Sequence, residues 1–191
     1  EALWQRRVDA VFTSEAYGDG FAAALQRHFS AQAGTHWPVA HVCLDPARST
    51  VPVSGTAVRR DPHALRGFLD PRVYAGFVCR IGLLGGESSG KTTLAAALAA
   101  QLQTAWAAEF GREHWVERGG ALDYDDLLHI AQVQVAREDT LAEQAHRWLV
   151  CDTTPLTTLL YCLSMFERAE PVLPNLLAAM AAALFVRVSP G

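Results

Sequence analysis

Lysine is almost absent. The 191 residues carry sixteen basic side chains, and all but one are arginine. The net charge is −4 and the pI is near 6.0. No basic stripe interleaved with aromatics is present, so a general attraction for nucleic acid or an anionic membrane is excluded. Cysteine is scarce and scattered: Cys43, Cys79, Cys151 and Cys162 form no C-x-x-C pair. A metal framework is therefore not written in the spacing, and buried reduced thiols of a cytosolic, cytoplasmic protein are expected. Long apolar runs are missing as well. The longest, Leu176 to Val186, has eleven residues, too few to span a bilayer, and the sequence does not open on a signal-peptide pattern. What is present is ordinary core material: half the residues are hydrophobic and 19% are charged, which fits a globular chain of one to two domains.

The one lysine, Lys91, lies in Gly85-Gly86-Glu87-Ser88-Ser89-Gly90-Lys91-Thr92, a G-x-x-x-x-G-K-T string followed by Thr93. Such a P-loop wraps backbone N–H groups around the phosphates of ATP or GTP. Its slim ammonium reaches the β/γ oxygens, a cradle too narrow for a planar guanidinium. The Thr92 hydroxyl would sit on Mg²⁺. The context agrees. Residues 80–84 form a short apolar run suited to a buried strand, and the Ala/Leu-rich segment from Thr92 to Gln103 reads as the following helix.

The first part of the chain alternates strand and helix: strand 8–13, helix 18–29 with Phe21, Leu25 and Phe29 on one face, strand 38–44, a loop 45–54, and short helices over 55–69 interrupted by Pro62. Asp70 to Gly76, with its proline and glycine, reads as the boundary, giving domains of 1–75 and 76–191. The second runs strand 80–84, P-loop, helix 91–103, strand 104–108, a long helix from the N-cap Asp123 to about Ala145, strand 147–151, two helices and strand 184–188. Leu122 and Leu127 are spaced as a hydrophobic staple, and Thr154 with Pro155 suits the start of the next helix. The pattern predicts an α/β chain, a parallel sheet with helices on both faces. Residue 1 is Glu, a strand begins within a few residues, and the last strand is followed by three residues. The chain therefore reads as an internal piece of a longer protein, with the second domain truncated at its C-terminal side.

Ligands in a parallel sheet bind beyond the carboxyl ends of its strands. Asp152 ends an apolar strand, the position at which a carboxylate holds Mg²⁺; the alternative is a helix-starting aspartate. Glu109 ends the strand before, where a carboxylate accepts or orients a substrate hydroxyl; the alternative is a surface glutamate. Arg112 suits a phosphate or a carboxylate partner. His114 and Trp115 are read as structural. No N-K-x-D pattern for guanine is present.

Four further strings, taken with the P-loop, decide the reading. Ser14-Glu15-Ala16-Tyr17-Gly18-Asp19 resembles the S-E-P-Y-G segment of nicotinamide-nucleotide adenylyltransferases of the NadR type, and Ser54-Gly55-Thr56-Ala57-Val58-Arg59 resembles their S-x-T-x-[IV]-R motif. The P-loop, then Glu109-Phe110-Gly111-Arg112-Glu113, then Asp152-Thr153-Thr154-Pro155-Leu156-Thr157-Thr158 resemble, in order, the ribosylnicotinamide kinase half of that bifunctional family. The resemblance implies that residues 1–75 are the C-terminal half of a Rossmann-like adenylyltransferase, with Ser54, Thr56 and Arg59 on an ATP triphosphate. It implies a kinase that uses ATP and Mg²⁺, held by Thr92 and Asp152, to convert ribosylnicotinamide to nicotinamide mononucleotide for NAD synthesis. Lys91, Glu109 and Asp152 would be its catalytic set. Ala16 replaces the family's proline, the H-x-G-H motif is absent, and Thr154 stands where many relatives carry a second acid. Two other readings stay open: a sensor that binds ATP and a pyridine nucleotide without turnover, and a kinase of another nucleoside. Oligomeric state is not legible.

Overall fold

The computed structural model describes residues 7–169, 171–173, 175 and 183–188. The chain divides into two compact units, 1–58 and 59–191.

In the first unit, strand β1 (Ala10–Thr13) and strand β2 (Ala40–Cys43) pair in parallel across helix α1 (Gly18–Ala33). The helix starts at Gly18 as expected but runs to Ala33, four residues past the expected end at 29, where Gly34 adopts the left-handed conformation of a helix stop. Its buried face differs by one residue from the expected stripe. Ala22, Leu25 and Phe29 pack with Val11, Trp37 and Val39, while Phe21 is half exposed. Gly18 explains the rotation. A Cβ there would lie 2.0 Å from His41 Nε2, so the helix presents its smallest residue to that ring. The loop after β2 is tied by Asp45, whose carboxylate accepts from the amides of Ser49, Thr50 and Val51 at 2.7, 2.9 and 3.0 Å. Those bonds, Val51 foremost, lower its pKa to about 2.

The second unit is built on four parallel strands in the order β4-β5-β3-β6: β3 (Cys79–Leu84), β4 (Trp106–Ala107), β5 (Trp148–Cys151) and β6 (Ala183–Arg187). Side chains alternate across the sheet. Ile81, Leu83 and Val150 pack against Ala95 and Ala99 of helix α4 (Lys91–Leu102). Leu149 and Cys151 face Ala142 of helix α6 (Tyr124–Ala142) and Tyr74 of helix α3 (Pro71–Ala75). Helices therefore cover both faces, as the alternation predicted. Helix α6 begins with a full capping box between Asp123 and Asp126, and Leu122 and Leu127 share one apolar cluster. Two elements differ from the sequence reading. Helix α5 (Phe110–Glu117) was not expected. Helix α7 (Pro155–Phe166) starts at Pro155, but the Thr154 side chain at its N-cap makes no capping hydrogen bond. Of the second helix expected before the last strand only Val172, Leu173 and Asn175 lie among the described residues, and they are helical.

The division also falls upstream of the expected boundary at 70–76, within helix α2 (Gly55–Arg60). Pro71 and Gly76 bound a helix here rather than a linker: Asp70 caps α3 by accepting from the Arg72 amide, with Pro71 at N1. Tyr74 anchors it. The ring is 3% exposed, and its hydroxyl accepts from the Arg147 amide at 3.1 Å.

Candidate functional site

The P-loop leaves β3 between its two neighbours β5 and β6. Gly85 is required by crowding, because a Cβ would lie 2.5 Å from the Val188 carbonyl oxygen and 2.7 Å from Ser89 Oγ. Ser88 and Gly90 take φ of +57° and +86°, the left-handed turns that gather successive amides into an anion-binding nest. Gly90 is the N-cap of α4 and offers no side chain, so the first amides of that helix remain available to phosphate. The Lys91 ammonium donates to the carbonyls of Gly85 and Gly86 at 3.0 and 2.8 Å, which folds the side chain over its own loop. Glu87 and Ser88 are exposed on the rim.

Asp152 follows β5 directly and is 1% exposed. Burial raises its pKa, while a hydrogen bond from Thr92 and the charges of Lys91 and Arg112 oppose the rise. Thr92 and Asp152 thus meet across the sheet end. The Oδ1 atom of Asp152 and the hydroxyl of Ser89 are buried with no hydrogen-bond partner. Buried polar atoms are normally satisfied, so these orphans fit a site that is completed by a ligand. One carboxylate and one hydroxyl also fit Mg²⁺, which keeps several waters and substrate phosphates around it rather than an all-protein cage. Among the described residues no group of three or more His, Cys, Asp or Glu forms such a cage.

Glu109 lies two residues past the end of β4 and is the N-cap of α5, yet its side chain caps nothing. Burial raises its pKa first of all; Arg112 and Lys91 pull it down, and Asp152 pushes it up. Its Oε2 lies 3.6 Å from Arg112 Nη2. Glu109, Asp152, Lys91, Thr92 and Arg112 therefore form one electrostatic neighbourhood at the ends of β3, β4 and β5. His114 stands apart, pinned by Asp126 at 2.8 Å. Trp115 lies against the Gly119–Gly120 turn, 3.2 Å from where a Gly120 Cβ would be. His114 is thus held in place by an acid, whereas Trp115 is half exposed rather than in the core.

A family model for the AAA domain matches residues 80–190, more than half of the chain. This chain belongs to the AAA-domain family. Within it, its curated relatives are of the NadR type, in line with the resemblance carried by the motifs. The Trifunctional NAD biosynthesis/regulator protein NadR of Escherichia coli (strain K12) is 32% identical over 146 residues, which is 74% of this chain and 36% of that protein. Its counterpart from Salmonella typhimurium is 28% identical over 179 residues, 92% of this chain and 44% of that protein. A crystal structure of NadR protein in complex with NAD and AMP-PNP has a TM-score of 0.67 at 21% identity, over 93% of this chain and 51% of that one. Another, in complex with NR, has a TM-score of 0.68 at 21% identity, over 95% and 51%. The chain thus spans about two-fifths of the length of the curated relatives it matches. None of the described helices is long and apolar enough to cross a membrane.

Sequence reasoning gave no role to Tyr161 of α7, which packs against the cluster of Leu127 and Cys162 and has its pKa raised by burial and by the charges of Glu87 and Glu109; no motif marks it. In the first unit, His41 links Thr13 Oγ1 at 2.9 Å to Asp19 at 2.7 Å, ordering the Ser14–Asp19 segment. Ser54 Oγ accepts from the Ala57 amide at 3.0 Å and so starts α2, on which Thr56 and Arg59 are exposed.

Proposed function

We propose that the AAA domain is an ATP- and Mg²⁺-dependent kinase that phosphorylates the 5′-hydroxyl of ribosylnicotinamide to give nicotinamide mononucleotide. The observation that carries this reading is the pair of recessed carboxylates, Glu109 and Asp152, beside the one lysine of the P-loop. A domain that only binds nucleotide needs the lysine and one magnesium-holding acid; it has no use for a second carboxyl whose pKa is raised by burial. The NAD, AMP-PNP and NR bound by related NadR proteins are ligands such an enzyme would handle.

In this mechanism the loop amides and Lys91 fix the ATP phosphates. Thr92 and Asp152 hold Mg²⁺, which neutralises charge on the phosphate oxygens when bound. Glu109 orients the attacking hydroxyl and takes its proton as the new O–P bond forms and the bond to the ADP leaving group breaks. Arg112 moderates the charge of Glu109 and is placed to meet substrate phosphate. Residues 1–75, with Ser54, Thr56 and Arg59 as ATP contacts, would contribute part of an adenylyltransferase that joins the product to AMP, giving NAD.

The test is to incubate the full-length protein with Mg-ATP and ribosylnicotinamide and follow nicotinamide mononucleotide by mass spectrometry, with Lys91→Ala as control. Product that disappears in the variant is the expected result. Tight ATP binding with no product from ribosylnicotinamide overturns it. Transfer to a different nucleoside in the same assay would then identify a kinase of other specificity, and no transfer at all would identify a nucleotide sensor.

A further inference from the structure

We propose that Gln134 and Arg137 of α6 are positioning residues for Glu109, holding the two backbone groups on either side of it so that its carboxylate is left for the substrate. The inference rests on the assignment of Glu109 as the acid that handles the substrate hydroxyl.

The geometry is local and specific. The carbonyl of Ala108 accepts from Arg137 Nη1 at 3.1 Å. The amide of Phe110 donates to Gln134 Oε1 at 3.0 Å. Glu109 lies between them, and the two clamping residues are three apart on α6, on one helical face. A helix N-terminus leaves its first amides without partners, and the N-cap side chain ordinarily takes one of them. Glu109 is the N-cap of α5 and takes none. Gln134 supplies an acceptor from another helix instead, which frees the Glu109 carboxylate to face Arg112 and Lys91.

Both clamps are themselves held. Gln134 is 2% exposed, and its Nε2 donates to Glu138 Oε1 at 3.4 Å. Glu138 is fully buried, with its other oxygen 3.5 Å from Arg80 Nε of β3. Arg137 is locked by two parallel bonds to Glu113, each 2.7 Å, and its guanidinium lies 5.3 Å from the centre of the Phe110 ring. A buried amide with both ends engaged is a costly thing to keep in a core for packing alone, since an apolar residue would fill that place without needing partners.

The experiment is a double-mutant cycle in the full-length enzyme, with kcat, KM for ATP and ATP affinity as readouts. Gln134→Met should lower kcat by roughly ten- to a hundredfold, the cost of a misplaced catalytic group, while KM and affinity for ATP stay within about twofold because the P-loop is untouched. In a Glu109→Gln background the same substitution should cost nothing further. Gln134→Glu keeps an acceptor for the Phe110 amide and should restore most of kcat at pH 6. An unchanged kcat, or a loss that multiplies equally in both backgrounds, overturns the proposal. If Gln134→Met does not fold, the same cycle with Arg137→Met decides between these outcomes. A wild-type enzyme that transfers no phosphate counts against the kinase assignment itself and is distinguishable at once from a failed cycle.

Discussion

Two strand-to-helix turns make the candidate site, and they are held in different ways. The turn from β3 to α4 holds itself: Gly85 and Gly90 supply its shape, and Lys91 bonds the loop's own carbonyls. The turn from β4 to α5 is held from outside, by Gln134 and Arg137 of α6. The first turn is a property of eight consecutive residues. The second is a property of the packed sheet and helices. In the proposed kinase, phosphate binding would thus belong to a local element, and placement of the acid to the tertiary structure. Substitutions in the two should separate affinity from rate.

Lys91→Ala should have the largest effect. It removes the one ammonium preorganised at the phosphates, and losing such a donor costs on the order of 10²–10³ in rate; ATP affinity measured by calorimetry should fall with it. Transfer at wild-type rate would show that the loop does not serve the reaction. Asp152→Asn comes next. It keeps the shape and removes the charge paired with Thr92, so activity should fall by roughly 10²-fold and partly recover at raised Mg²⁺ in a titration. A magnesium requirement identical to wild type would remove Asp152 from the metal site.

Glu109→Gln should leave ATP affinity unchanged and lower kcat by roughly 10²-fold. It carries a pH signature. Burial raises the pKa of Glu109, and the base works ionised, so kcat should rise with pH through that raised value, above the ordinary carboxylate range. The acid limb should vanish in the variant. An acid limb that survives Glu109→Gln belongs to another group, Asp152 being the nearest candidate with a raised pKa.

The same contrast explains what was legible in the sequence. G-x-x-x-x-G-K-T, the strand before it and the aspartate ending an apolar run are local patterns, and each marks a position at the sheet end. Glu109 was legible as a position but its support was not. Gln134 and Glu138 occupy the buried face of α6 with Leu127, Ile130 and Ala131; the stripe Leu127, Ile130/Ala131, Gln134/Val135 and Leu141 is legible in the sequence and passes through Gln134, but periodicity gives a buried glutamine or glutamate no role. Helix α5, with sequence FGREHWVE, has no buried residue and so no stripe to find. Its N-terminus exists because α6 holds it. The boundary read at 70–76 has the same origin: Pro71 and Gly76 are helix-end residues as readily as linker residues, and here they bound α3 around the buried Tyr74.

Glu138 offers the finest test, because the outside clamp is linked to a proton. Burial raises its pKa from 4.5 to about 7, against the pull of Arg80. The charged and titratable groups around it are Arg80 on β3, Asp139 on its own helix, and the Cys151 thiol on β5, which burial keeps neutral. Below pH 4.5 Glu138 is protonated in both folded and unfolded chains. Between pH 4.5 and about 7 the folded chain keeps a proton that the unfolded chain has lost, so its contribution to stability falls as pH rises. The full swing is on the order of 3 kcal/mol. Glu138→Gln retains an acceptor for Gln134 and cannot ionise, and Arg80 keeps Asp139 as partner. Urea melts of the two proteins at about pH 5 and about pH 8 should therefore diverge, the variant gaining on the wild type at the higher pH. Parallel stabilities across that window would mean that Glu138 carries its charge in the folded chain, and that the clamp on Glu109 ends in an ion pair with Arg80 rather than in a neutral acid.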